Sequence, residues 1–331
     1  MAAHNKLLFI TEPDTVELLK WPDVIACLAA AYAAPDEAAA VPPRVVARKE
    51  GAWLRVLAAM SSGKHMGAKI IARARTPQLS YLMPLWDRDT AELVCLLDAK
   101  HITGMRTAGT TAMAADRMLP KKALRVAVLG SSHEAKAHAA AIAAVREIAA
   151  MTVYSPTPAS REKFARSFSS ESGIVCSAAD SPRAAIEGAD LIICAARSHD
   201  EKPILEGAWL TPGVMVASIG STLPEQIEVD PEVIRRAAVI VADVPEEVMH
   251  QTGDLLAAAK AGVPFADKVV SLHDVVQGRS AAKQTGDNIV LFKSVGSALQ
   301  DMAVSELCLE KARSSVRGTE LPVGLTVKGR K

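Results

Sequence analysis

Six consecutive residues carry the first sign of chemistry. Gly130-Ser131-Ser132-His133-Glu134-Ala135 follows the apolar run Leu-Arg-Val-Ala-Val-Leu at 124–129 and precedes an alanine-rich stretch. A strand, a tight turn and a helix start aim backbone N–H groups and the positive end of a helix dipole at a pyrophosphate. The complete dinucleotide fingerprint is G-x-G-x-x-G/A. Gly130 and Ala135 fill its first and third positions, while Ser132 replaces the second glycine. That replacement narrows the approach to the phosphates and offers a hydroxyl donor in exchange. Taken alone, the loop could be an ordinary strand-to-helix turn, and the pattern around it favours the dinucleotide. The cofactor ribose is read roughly 20 residues further on, where Tyr154-Ser155-Pro156-Thr157 and Arg161 stand. No Asp or Glu is present there to hold a free 2′-hydroxyl. Ser155, Thr157 and Arg161 suit a 2′-phosphate, so the expected cofactor is NADPH or NADH, with NADPH favoured. Ser155 and Thr157 could instead cap the next helix.

Such a loop needs a parallel sheet behind it. The sequence predicts a helix over 134–149, a strand at 151–154, a helix over 161–170, and a strand-like piece at 174–176. A helical piece at 182–187 and strands at 191–195, 214–219 and 239–241 follow. Strands alternating with helices imply βαβ units and a parallel sheet. The flanks differ: 43–60 and 66–73 alternate like antiparallel strands, and 79–98 reads as two strands around a turn at 87–91. A helix over 105–118 leads into the middle region. A long amphipathic helix over 293–312 leads back out, and a glycine- and charge-rich tail from Ser314 is expected to be loosely held. The expected class is α/β: a Rossmann-like doubly wound parallel sheet domain (119–293) inserted into an α+β substrate and dimerisation domain. The latter is built from both chain ends, 1–118 with 294–331.

The composition narrows the functional classes. A formal net charge of +1 over 331 residues gives no broad basic face for nucleic acid or an acidic membrane. No apolar run reaches the length of about 18 residues that a membrane span needs, and the first ten residues lack the apolar core of a signal peptide. The five cysteines, Cys27, Cys95, Cys176, Cys194 and Cys308, are scattered and flanked mostly by apolar residues, as small core residues in a reducing cytoplasm would be. The eight histidines show no paired ligand spacing, so no metal is expected.

Several segments, in order, resemble the ornithine cyclodeaminase/mu-crystallin family. They are Pro43-Arg44, Gly67-Ala68-Lys69, Met105-Arg106-Thr107-Ala108-Gly109-Thr110-Thr111, the loop after Leu129, Ile219-Gly220-Ser221-Thr222-Leu223-Pro224, and Leu291-Phe292-Lys293-Ser294-Val295-Gly296. Together they cover about residues 40 to 312. The resemblance implies a homodimer and a cyclodeaminase, an alanine dehydrogenase, or a reductase of ketimines and cyclic imino acids; vertebrate mu-crystallin also binds thyroid hormone. It places Arg44, Lys69 and Arg106 at the substrate. Arginine offers a planar fork for a carboxylate, and a lysine beside two cations can give a proton to an imine nitrogen. Lys69 lies in the apolar stretch Met66-Gly67-Ala68-Lys69-Ile70-Ile71, where a charge needs a reason. Either arginine could be an ordinary surface or interface charge. Thr107, Ala195, Ser221, Lys293 and Ser294, with the loop 130–135, would line the dinucleotide.

One departure separates the possible activities. Cyclodeaminases of this family carry an acid in the Gly-Ser/Ala-Asp-x-Pro segment, where this chain has Thr222. A threonine can hydrogen-bond but cannot act as a carboxylate base, although Glu225 or Glu228 could swing in. The expected function is NAD(P)H-dependent reduction of a small imino acid to an L-amino acid, with Thr222 at the reacting centre. The alternatives are a cyclodeaminase with bound NAD and a non-catalytic small-ligand binder. Side-chain specificity would lie in loops around 51–64 and 197–203.

Overall fold

The computed structural model describes residues 7–35, 37–196, 202–282, 285–322 and 325–327. The chain begins with β1 (Leu7–Ile10), α1 (Glu12–Leu18) and α2 (Trp21–Ala33). A run of strands follows: β2 (Val45–Lys49), β3 (Ala52–Met60), β4 (His65–Arg73), β5 (Leu79–Asp87) and β6 (Leu93–Asp98). Helix α3 (Lys100–Met118) leads to β7 (Leu124–Leu129), α4 (His133–Ala143), β8 (Ile148–Tyr154) and α5 (Pro158–Ser172). Next are β9 (Cys176–Ala178), α6 (Pro182–Ile186), β10 (Leu191–Cys194), β11 (Met215–Ser218), α7 (Pro231–Arg236) and β12 (Ala237–Ala242). Then come α8 (Pro245–Gln251), α9 (Gly253–Lys260), β13 (Val269–Ser271), α10 (Leu272–Val276) and β14 (Ile289–Lys293). The chain closes with α11 (Ala298–Ser314) and β15 (Thr319–Leu321). Backbone packing divides it into two units, Met1–Thr107 with Ser297–Lys331, and Ala108–Gly296.

In the first unit, period-two patterning produces a seven-stranded sheet of order β15-β1-β6-β5-β4-β3-β2. The β2–β3 hairpin closes through Glu50 (φ 49°) and Gly51 (φ 81°), the two left-handed residues that a tight hairpin turn requires. α1 starts with a capping box between Thr11 and Asp14, which satisfies N–H groups that the first turn leaves without partners. Leu57, Ala59, Ile71, Met83 and Leu85 bury one face of the sheet in a core shared with Leu28 of α2 and Met302, Cys308 and Leu309 of α11. The opposite face carries an apolar row in register across four strands, Val45↔Val56↔Ile70↔Leu82. Val45 is 64% exposed and Leu82 38%. Within the tail expected to be loosely held, residues 319–321 instead add β15 to β1, with Leu321 opposite Leu7.

The second unit is the α/β layer, an all-parallel sheet of order β13-β12-β14-β11-β10-β7-β8-β9. From β7 the chain adds β8 and β9 on one side and then β10 and β11 on the other. The order therefore reverses between β7 and β10, and ligands of such sheets bind at the carboxyl ends beside that reversal.

Two expected helices are shorter than predicted. α4 stops at Ala143 because Arg146 turns the chain, its buried guanidinium hydrogen-bonding the carbonyls of Leu119, Pro120 and Lys122. Residues 148 and 149, predicted as helix, open β8. The helix predicted over 293–312 starts only at Ala298, and Ile289–Lys293 is a central strand buried along its whole length. A strand covered on both faces loses the alternation that would reveal it.

Candidate active site

Lys69 lies on the β4 face that packs against α11, where Gly67 and Ile71 are buried too. It is 1% exposed, and its Nζ lies 2.7 Å from Asp301 Oδ1 on α11. Arg106 Nε donates to the same oxygen at 3.0 Å, and its Nη1 donates to Gln300 Oε1 at 3.1 Å. Gln300 Nε2 in turn donates to Tyr32 Oη at 2.8 Å. Arg44, half-buried just before β2, bears on Lys69 electrostatically. The structure thus brings Lys69 and Arg106 together on one acid, with Arg44 near enough to act on Lys69.

Arginine and lysine side chains gathered in this way suit an anionic group such as a carboxylate. Burial, reinforced by Arg106 and Arg44 against the pull of Asp301, lowers the Lys69 pKa to about 7. Burial pushes Asp301 up, but Lys69 and Arg106 outweigh it and hold the carboxyl below its usual value. Asp301 Oδ2 is buried and takes no hydrogen bond among the described residues. Sequence reasoning missed Asp301, because a lone acid along a predicted amphipathic helix reads as part of its solvated face. The available signal was its position: Asp301 shares a helical stripe with the buried Val304, Ser305, Cys308 and Ala312, and a carboxylate on an inward face needs a cation.

In the second unit, Gly130 has φ +128°, and a Cβ there would come 2.6 Å from the Ala195 carbonyl oxygen. Only glycine lets the chain pass between β7 and β10 here. Ala195 N donates to Leu129 O at 2.9 Å, across the reversal of strand order. Ser132 is the N-cap of α4, its Oγ accepting from Ala135 N at 3.4 Å. Ala135 is fully buried, whereas Ser132 and His133 are exposed and Glu134 is half-buried. The cradle fits a dinucleotide, with the hydroxyl that replaces the second glycine standing at the helix start.

At the end of β8, Ser131 Oγ donates to Ser155 Oγ at 3.0 Å. Arg161 donates to Ser155 O at 3.2 Å and to Asp180 Oδ1 at 2.7 Å, with its guanidinium 5.9 Å from the Tyr154 ring centre. Thr157 occupies the N-cap position of α5 without a side-chain cap bond. Asp180, absent from the sequence reading, is the acid that tethers this arginine.

Other expected residues are tied into the protein. Thr107 Oγ1 donates to Thr103 O within α3 at 2.7 Å. Ser221 Oγ donates to Gln226 O, and Thr222 N donates to Gln226 Oε1 at 3.0 Å. Lys293 is fully buried, 2.6 Å from Asp254 Oδ2, and Ser294 Oγ donates to Asp243 Oδ2 at 2.6 Å. Glu228 is 1% exposed and accepts hydrogen bonds from Ala196 N, Gly220 N and Ser218 Oγ, so it is held in place; Glu225 is exposed. Of the expected specificity loops, 52–60 is strand β3, and 197–201 lie outside the described residues. Among the described residues no group of three or more His, Cys, Asp or Glu could hold a metal ion, and no helix is long and apolar enough to cross a membrane.

Comparisons with known proteins agree over nearly the whole chain. A Δ1-pyrroline-2-carboxylate reductase of Bacillus cereus is 26% identical over 85% of this chain and 83% of its own. Ketimine reductase mu-crystallin of Mus musculus is 27% identical over 86% of this chain and 90% of its own. The structure of Thermococcus litoralis Δ1-pyrroline-2-carboxylate reductase in complex with NADH and L-proline matches with a TM-score of 0.86 and 25% identity. It covers 95% of this chain and 100% of its own. The family model for ornithine cyclodeaminase and mu-crystallin matches residues 9–316, and the chain belongs to the ornithine cyclodeaminase/mu-crystallin family.

Proposed function

We propose that the protein is an NAD(P)H-dependent reductase of a small imino acid, of the ketimine or Δ1-pyrroline-2-carboxylate type, that yields an L-amino acid and runs in reverse as a dehydrogenase. The observation that carries this is Lys69, buried against Asp301 with its pKa lowered to about 7 beside two arginines. Arg44 and Arg106 suit the substrate carboxylate, Arg106 already oriented by Asp301 and Gln300. Lys69 Nζ gives its proton to the imine nitrogen in reduction and takes it back in oxidation, and a pKa near neutrality serves both directions. A reduced nicotinamide supplies the hydride when bound, and the residues that would hold the dinucleotide are Gly130 to Ala135 and the Ser155–Arg161 corner. Thr222 can hydrogen-bond a substrate group but cannot pair with a distal ammonium as an acid would. That disfavours cyclodeamination, as does Glu228, whose oxygens already hold three donors.

The finer coenzyme preference in this proposal is NADPH. It rests on Ser155, Thr157 and Arg161 at the end of β8; the tether to Asp180, which is 99% exposed, leaves the guanidinium able to turn to a phosphate. A homodimer completes the proposal, its second copy covering the Val45–Leu82 row and an adjacent cavity of about 470 Å³ that includes Met60, Met66 and Trp86. A cytoplasmic setting fits five cysteines that are all free thiols.

The test follows the loss of reduced-nicotinamide absorbance with Δ1-pyrroline-2-carboxylate, its six-membered homologue, and 2-oxo acids with ammonia or methylamine. Turnover that collapses in Lys69→Ala and Arg106→Ala supports the reductase. Ammonia release from ornithine or lysine without net use of coenzyme would replace it with the cyclodeaminase, and silence in both assays with the binding protein.

A further inference from the structure

Beneath the carboxyl ends of β10, β11 and β14 lie three buried charges that take no part in the carboxylate and proton chemistry above. Glu228 Oε1 accepts from Ala196 N at 3.0 Å, and Oε2 accepts from Gly220 N at 2.9 Å and from Ser218 Oγ at 2.8 Å. The same Ser218 hydroxyl accepts from Lys293 Nζ at 2.9 Å, which also donates to Ser221 O at 2.7 Å and pairs with Asp254 Oδ2 at 2.6 Å. Asp254 Oδ1 closes the ring, accepting from Glu228 N at 2.7 Å and Val229 N at 3.1 Å. One carboxylate therefore grips the loop after β10 and the loop after β11 together. Gly220 answers to it: a Cβ there would collide with the Glu228 carboxylate and come 2.5 Å from Ala196 O.

Such a cluster is a poor way to gain stability. Glu228, Lys293 and Asp254 are each at most 1% exposed, and burying charges costs as much as their attraction returns. Burial drives the Glu228 pKa up to about 7, with Asp254 pushing the same way and Lys293 opposing. The other titratable neighbour is Cys194 at the end of β10, whose thiol burial drives well above its usual value. What the cluster does supply is a defined shape for two loops. With a pyrophosphate held at Gly130 and an adenosine ribose at the end of β8, as the proposed function has them, the other half of a dinucleotide would fall over β10 and β11.

We propose that Glu228, backed by Lys293 and Asp254, is a positioning residue for the nicotinamide half of the coenzyme. It fixes the backbone at Ala196 and Gly220, so that Ser221 and Thr222 stand where that half binds. This rests on the reductase reading, and its test has a readout other than turnover. Binding of NADPH, NADH and ADP-ribose (which has no nicotinamide) is measured by fluorescence and thermal shift on wild type, Glu228→Gln and Ser218→Ala. Glu228→Gln keeps the volume but replaces an acceptor with a donor opposite a backbone N–H. The expected result is a Kd for both coenzymes weakened about tenfold, with ADP-ribose affinity unchanged and the KM for the imino acid unmoved. Ser218→Ala shifts in the same sense by a few-fold, and serves alone should Glu228→Gln not fold. Coenzyme affinity equal to wild type, or ADP-ribose weakened in parallel, overturns the proposal and leaves the cluster structural. Wild-type protein that binds neither coenzyme overturns the reductase reading and this proposal with it.

Discussion

Asp301 is the residue that would make Lys69 usable in the proposed proton transfer. A lysine at 1% exposure without a counter-charge would lose its proton altogether, and with a strong one it would never release it. Here burial and Arg106 pull the pKa down while Asp301 holds it up, and the balance falls at about 7. Reduction needs the protonated amine, so kcat/KM for the imino acid should fall as pH rises through about 7; oxidation of the amino acid should rise over the same range. Asp301→Asn removes the group that raises the pKa and should move that limb to lower pH. Arg106→Met removes a group that lowers it and should move the limb up, whatever it costs in substrate affinity. Profiles with a limb common to all three proteins would remove Lys69 from the proton transfer. Lys69→Ala should lower kcat by about 10²–10⁴, the usual worth of a positioned acid.

Two elements decide whether the cradle can form, the β7–α4 turn and the corner after β8. Gly130→Ala puts a methyl group against the Ala195 carbonyl at a φ that disfavours side chains, a strain of about 1–3 kcal/mol. Coenzyme affinity should drop about tenfold or more, read by fluorescence titration. Arg161→Ala should cut kcat/KM with NADPH about tenfold, the scale of one hydrogen bond to a charged group, and leave NADH nearly unchanged. A wild-type kcat/KM clearly higher with NADH would end the NADPH preference. The loop itself was legible because glycine and alanine at fixed offsets have no cheaper substitutes there. Strand β14 was not, because Ile289–Phe292 is apolar on both faces and carries no period. Lys293 was accordingly expected at the head of a helix, when it ends a strand with its ammonium drawn inward to Asp254.

For the whole molecule, the apolar row Val45, Val56, Ile70 and Leu82, exposed at its two ends and half-buried between them, is the feature that a single chain leaves unexplained. Contiguous apolar surface of this kind suits the proposed homodimer. Leu82→Glu places a charge in this row and should convert a dimer to monomers in light scattering while leaving Lys69 and its partners folded. A wild-type protein that runs as a monomer at micromolar concentration would dismiss the second copy as the occupant of this face.

The parts of the protein that rest on local chemistry are legible in the order of its amino acids. These are the parallel α/β region, the glycine turn before α4, the antiparallel flank, and a lysine in an apolar stretch whose charge needed a partner. Those follow from periodicity and from residues whose conformational or solvation demands are met in few ways. Which residue answers each demand is set by the folded chain. Asp301 lies 232 residues from Lys69, and Glu228, Asp254 and Lys293 meet from a loop, α9 and a strand end. Pairing of buried charges is a property of distance in space, and a chain's local pattern holds no record of which distant acid closes on which cation.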